Sequence, residues 1–259
     1  DTLFIGIESF SQNSLLETAK VQNLTMELSD AVRHVQSYGF IVVAGLIFGF
    51  DSDDASCFEA THKGMVKSGL LSGDPALLLA LPGTPLYRRM QLAGRLRSES
   101  YGSTKNYGSN IRFLLDREII INGYIEFIKQ RNTGRSEFLR LRTFFDNLES
   151  GRFVPLNSRG YGSILEFARL LLGNPVSRRQ LFHRLKLLLT KPSNLLYVVQ
   201  GALLVLSRTT VKGRLNYLQY WIFDWTNSLV KYEGLGSGDF DVESVPGPVA
   251  PEQILPDGY

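Results

Sequence analysis

The sequence predicts an α/β fold that turns all-α: a partial (β/α) barrel of three βα units, then a helical domain and a disordered acidic tail. Three observations lead there. Over the first ninety or so of the 259 residues, β-branched runs alternate with segments of helical spacing, the rhythm of parallel strands joined by right-handed crossovers. From residue 111 the apolar residues recur at three-to-four spacing, which is helical. From Gly234 onward Gly, Pro and acids dominate, a composition that favours disorder. The boundaries that follow are 1–97 for the partial barrel, 98–110 for a linker loop, 111–233 for the helical domain and 234–259 for the tail.

The elements follow in order. "TLFIGIES" reads as a buried strand ending near Glu8 and Ser9. "NSLLETAK" and "MELSDAVRHVQSYG" have helical spacing, with Gly39 as a stop. "FIVVAGLIFGF" is the second strand, and "SDDASCFEATHKGMVKSG" a helix capped by Ser52 or Asp53 and stopped at Gly69. "PALLLALPG" is the third strand; Thr84 then caps the helix "TPLYRRMQLAGRL", with Pro85 at its first position. After the polar, Gly-rich "SESYGSTKNYGSN", helices run from "DREIIINGYIEFIKQ" and "RSEFLRLRTFFDNLES" through "GSILEFARLLLG" to "KGRLNYLQYWIFDWTNSLVKY". Three βα units are too few to close a barrel.

Charge is unevenly placed. The net +3 conceals twelve Lys and Arg against three acids between Gly151 and Glu233, and five acids with no Lys or Arg from Gly234 on. A single cysteine, Cys57, excludes an internal disulfide framework and any metal site that needs several thiolates from this chain. The opening "DTLFIGIES" has no signal-peptide pattern and no apolar run reaches membrane-spanning length. A cytoplasmic location is expected, with a peripheral position on the inner face of a membrane as the alternative.

Ligands of parallel βα folds sit at the carboxyl ends of the strands, here "GIES", "GLIFGFD" and "ALPGTP". Gly45 and Gly49 would let a flat ligand approach the backbone, or would let a helix pack closely. Glu8 can accept hydrogen bonds from hydroxyl or ammonium groups, or is a solvated strand end. "DSDD" lacks the glycine and glutamate of a calcium loop and fits helix capping. Cys57 reads as a small buried residue, and His34, His62 and His183 as isolated helical side chains.

"FIGIES", "KVQN", "GLIFGFDSD" and "LLALPGTPLY" together resemble the second half of the radical S-adenosylmethionine (radical SAM) barrel of cobalamin-binding radical SAM proteins. The helical remainder from "NIRFLLDREIIINGYIEFI" resembles the C-terminal domain of unknown function in that group, and the likeness covers roughly residues 2–232. It implies S-adenosylmethionine across the barrel mouth on a [4Fe-4S] cluster, and a cobalamin-dependent methyl transfer to an unactivated carbon. By position it places Glu8 and Ser9 at the ribose and amino-acid portion, Gly45, Ile47 and Gly49 beside adenine, and Leu81, Pro82 and Gly83 at the adenine end. The family's CxxxCxxC loop and cobalamin domain are absent from this sequence. The chain alone is therefore expected to bind no cluster and to carry no catalytic residue; it either belongs to a longer protein, pairs with a partner carrying the N-terminal barrel half and its cobalamin domain, or is a relic.

The basic helices leave two readings. "SRRQLFHRLKLLL" and "NLLYVVQGALLVL" either turn their apolar stripes inward with Arg snorkelling outward, or lie on an anionic membrane surface. The second would make the chain a non-catalytic module for a membrane or partner protein, and a lipid substrate would favour it; otherwise the substrate is a small molecule. Nucleic acid is not expected, since the aromatics fall at helical core spacing rather than on a stacking platform.

Overall fold

A computed structural model describes residues 2–11, 14, 27–97, 107–151, 175–189 and 192–246. Apart from Ser14, the expected helix at "NSLLETAK" lies outside them, as does that at "GSILEFARLLLG". Strands β1 (Thr2–Glu8), β2 (Ile41–Phe48) and β3 (Ser72–Leu77) form a parallel sheet in the order β1-β2-β3. Helix α1 (Leu28–Gln36) lies between the first two strands and α2 (Cys57–Ser68) between the second and third; α3 (Pro85–Leu92) follows. No closed barrel forms among the described residues.

The sheet has two unequal faces. Val42, Ala44, Leu46 and Phe48 are at most 1% exposed and join Val32 of α1 and Met65 of α2 in the larger core. Val43, Gly45 and Ile47 point the other way and are only partly buried. On that face Phe4 is 72% exposed. Parallel sheets are normally covered on both sides, so this face stands out.

Local signals placed most boundaries. Thr84 Oγ1 accepts from the Tyr87 amide with Pro85 in the first turn, and Gly69 ends α2 at φ 67°. Two expectations are corrected. The third strand begins at Ser72 rather than Pro75, and the apolar "LLAL" that follows is its exit loop. Ser109 Oγ donates to the Leu78 carbonyl, and the Asn110 amide bonds both the N–H and the C=O of Ala80. Those bonds replace the ladder that a longer strand would have used. The cap of α2 is Ser56, which makes no side-chain capping bond; Asp53 is occupied elsewhere, as described below.

Strand β4 (Tyr107–Phe113) falls where the linker and the first helical residues were expected. Then come α4 (Arg117–Arg131), α5 (Gly134–Ser150), α6 (Pro175–Leu189), α7 (Pro192–Ser207) and α8 (Arg214–Lys231). The segment expected to be disordered contributes a short 3₁₀ turn and β5 (Phe240–Ser244), parallel to β4. Its "FDVES" alternates apolar and polar residues: Phe240 and Val242 are buried, while Asp241 and Glu243 both bind Arg97, at 2.6 and 3.1 Å. The tail acids thus neutralise a specific arginine. Residues 247–259 lie outside the described set.

A second core joins α5 and α8, through Phe144, Phe145, Trp221 and Trp225, to Ile41 and Leu71. Polar clamps hold the same junction. Arg140 donates to the Leu70 and Leu71 carbonyls, Tyr217 to the Gly39 carbonyl, and Asn147 to Gln36. All these partners lie at or before the amino ends of β2 and β3, so α5 and the start of α8 sit at the end of the sheet away from the strand carboxyl ends.

Candidate functional site

Glu8 closes β1 with φ 67°, the one positive φ outside glycine among the described residues. The Ser9 amide donates to the Ile7 carbonyl at 2.9 Å, making Glu8 the apex of a γ-turn. Strand pairing slips between Gly6 and Glu8. A left-handed conformation costs a non-glycine residue about 1–2 kcal/mol, and such strain collects at functional positions. Ser9 is buried, and its Oγ accepts from the Ser11 amide at 3.0 Å. Its hydroxyl therefore braces the chain behind Glu8.

The two glycines of β2 and its exit separate. Gly45 is in register with Gly6 on one side and Asp74 on the other, giving a row across the partly open face. A Cβ added there would lie 3.1 Å from the Phe4 ring tip. That space accepts an aromatic ring against bare backbone, the contact a planar base would need. Gly49 is buried at φ 103°, and a Cβ there would come within 2.3 Å of the Phe113 ring. Close packing against β4 is thus enough to require glycine at this position. Ile47 shares the open face with Ala76. Leu81, Pro82 and Gly83 form an exposed turn before α3, with Gly83 at φ 84°.

Around this end lie side chains whose role the sequence did not disclose. Asp53 Oδ2 accepts from the Gly49 and Phe50 amides at 2.8 and 3.1 Å, and its Oδ1 from Ser14 Oγ at 2.6 Å. Asp51 takes a two-pronged bond from the buried Arg95 at 2.8 and 2.6 Å, whose Nε holds the Arg112 carbonyl. "DSDD" was thus legible as acidic and turn-forming, but its partners come from 39 and 44 residues away. On the open face Asp74 pairs with Lys231 from the end of α8. Beside it, Tyr124 Oη of α4 donates to the Pro75 carbonyl at 2.8 Å.

The remaining candidates are structural. Cys57 is buried, and burial with nearby Asp53 and Asp54 drives its thiol pKa far up. His62 Nε2 meets Ser136 Oγ at 2.9 Å and His183 Nε2 meets Glu233 at 2.8 Å. Among the described residues no group of three His, Cys, Asp or Glu is placed to hold a metal ion. One buried, protonated thiol does not fit the donor set of an iron–sulfur cluster, which takes several thiolates.

Residues 84–204 match the family described as a domain of unknown function (DUF4070), beginning at the Thr84 cap of α3. The chain is 34% identical over 120 residues to the hopanoid C-2 methylase of Rhodopseudomonas palustris, covering 46% of this chain and 22% of that protein. Its curated relatives are methyltransferases. An uncharacterized methyltransferase of Synechocystis is 33% identical over 128 residues, 49% of this chain and 24% of the relative. The bacteriochlorophyllide d C-12(1)-methyltransferase of Chlorobaculum tepidum is 26% identical over 91 residues, 35% and 20% of the two chains. This chain therefore aligns with about a fifth to a quarter of each relative's length. No solved structure matches.

Proposed function

We propose that this chain is the C-terminal portion of a cobalamin-dependent radical SAM methyltransferase, acting on an unactivated carbon of a small-molecule or lipid substrate. The observation that carries it is the partly open face of the β1-β2-β3 sheet, with the Gly45 row across it and the strained Glu8 at its carboxyl end. Similarity to methyltransferases supports the reaction class. One S-adenosylmethionine would supply the methyl group, and a second, on reductive cleavage to methionine, an oxidising carbon radical. Glu8 would accept hydrogen bonds from its ribose or amino group; Gly45 and Ile47 would present backbone and an apolar contact to the base; the Leu81–Pro82–Gly83 turn would border it. The iron–sulfur cluster and cobalamin would belong to the N-terminal half, which would pair along β1, the edge strand of the described three-stranded sheet. Exposed edges of this kind are normally paired or protected.

The test is to co-express this chain with a barrel half carrying CxxxCxxC, reconstitute anaerobically, and measure iron, S-adenosylmethionine binding by calorimetry, and its reductive cleavage. Cleavage by the pair, with binding weakened at least tenfold by Glu8→Ala or Gly45→Val, is expected. A stable pair that binds iron but no S-adenosylmethionine would overturn the assignment.

A further inference from the structure

Helix α7 turns an apolar face outward. Leu195, Leu196, Val199, Leu203 and Leu206 are between 46% and 62% exposed, and at 100° per residue they fall within about 100° of arc. Its inward residues are Asn194, Gly201 and Val205, with Gly201 seated against Trp221. The helix contains no Asp, Glu, Lys or Arg. Beside it, α6 exposes Phe182, Leu185 and Leu189 at 69%, 41% and 54%, a second stripe. The two helices touch each other and both pack on α8. Eight of the eighteen large hydrophobic side chains exposed among the described residues lie on these two elements. Isolated exposed leucines need no explanation, but contiguous stripes mark interaction surfaces.

Charge selects the occupant. Residues 175–216 contain eight Lys and Arg and no Asp or Glu. On α6 the exposed Arg179 and Lys186 flank the apolar stripe, and Arg184 lies over the Phe223 ring at 4.8 Å. Arg208 is engaged by Asp146 and Glu149, and the remaining excess is positive. No described helix is long and apolar enough to cross a membrane. Apolar stripes flanked by uncompensated basic residues are the composition of helices that lie in a bilayer interface.

We infer that α6 and α7 form a docking surface for an anionic phospholipid bilayer, with the α7 leucines entering the headgroup boundary and Arg179 and Lys186 contacting lipid phosphates. This surface is separate from the Gly45 row and does not depend on the methyltransferase assignment.

The test is flotation of the full chain with phosphatidylcholine vesicles, with and without phosphatidylglycerol, at low and high salt. Sedimentation velocity is run without lipid. Binding to the anionic vesicles, weakened about tenfold or more by high salt, is expected. The variant Leu196→Glu/Val199→Glu/Leu203→Glu should lose it, and Arg179→Glu/Lys186→Glu should weaken it. Leu92→Glu, at an exposed leucine of α3, should bind as the parent does, and circular dichroism should show every variant folded. Absence of flotation at low salt would overturn the inference, as would equal flotation by the α7 variant. So would a lipid-free dimer abolished by the α7 substitutions, which would assign the face to a second copy.

Discussion

At the scale of single residues, Gly45 and Gly49 make opposite forecasts. Gly49→Ala forces a Cβ into the buried Phe113 ring at φ 103°, combining backbone strain with overpacking. A loss of about 2–4 kcal/mol in urea unfolding is expected. Gly45→Ala meets only the tip of a mostly exposed ring, and Ala is the better strand residue. Its stability should stay within about 1 kcal/mol of the parent. His62 carries a pH dependence. Burial, then the charge of Arg140, lowers its pKa, so the fold holds it neutral beside Ser136. Below the unfolded histidine value of about 6.5 the unfolded chain takes up a proton that the folded chain resists. Stability contributed at this site is therefore complete above that value and declines as pH falls. In urea titrations between pH 7 and 5, His62→Gln should show a shallower decline than the parent.

At the scale of elements, α5 is fastened by a buried charge cluster rather than by apolar contact alone. Arg140 is fully buried, bonded to three backbone carbonyls and to Glu137, which also accepts from Trp221 Nε1. Burial raises the Glu137 pKa to about 7 against the pull of Arg140 and Arg131. Removing one partner of such a pair leaves an uncompensated charge and costs about 3–5 kcal/mol. Arg140→Met should lose that much in chemical denaturation, and Glu137→Gln with Arg140→Met should recover part of it. Strand β5 is the second fastening. A chain ending at Gly236 would expose β4 and remove Phe240 and Val242 from the core. At about 1.5–3 kcal/mol per buried side chain, that truncation should lower the melting temperature markedly. It should also speed hydrogen exchange over residues 107–113.

At the scale of the whole molecule, the polar clamps hold α5 and the start of α8 at the amino ends of the strands, while the Glu8 turn, the Leu81–Gly83 turn and β4 gather at the carboxyl ends, where Asn110 bonds Ala80 and Phe113 packs on Gly49. The sheet is thus secured at both ends and partly open along the face that carries Gly45. If a front half pairs along β1, hydrogen exchange of the β1 amides should slow on complex formation while exchange in α5 stays unchanged. Slowing confined to α6 and α7 would instead place the partner on the basic helices.

What the sequence determined by itself was local. The three βα units, the Thr84–Pro85 start of α3, the Gly69 stop and the helical remainder are written in periodicity and caps, which need only neighbours within a few residues. Glu8, Gly45, Ile47 and the Leu81–Pro82–Gly83 turn could be placed at or beside the carboxyl ends for the same reason. Tertiary structure alone decided which glycine faces open space and which faces Phe113, because that ring arrives from a strand 64 residues later. It also decided that "FDVES" is a strand, since a five-residue alternating run gains a partner only from β4, far back in the chain. The outward turn of α7 was settled in the same way: a wholly uncharged helix carries no sign of which side is inward until Gly201 meets Trp221.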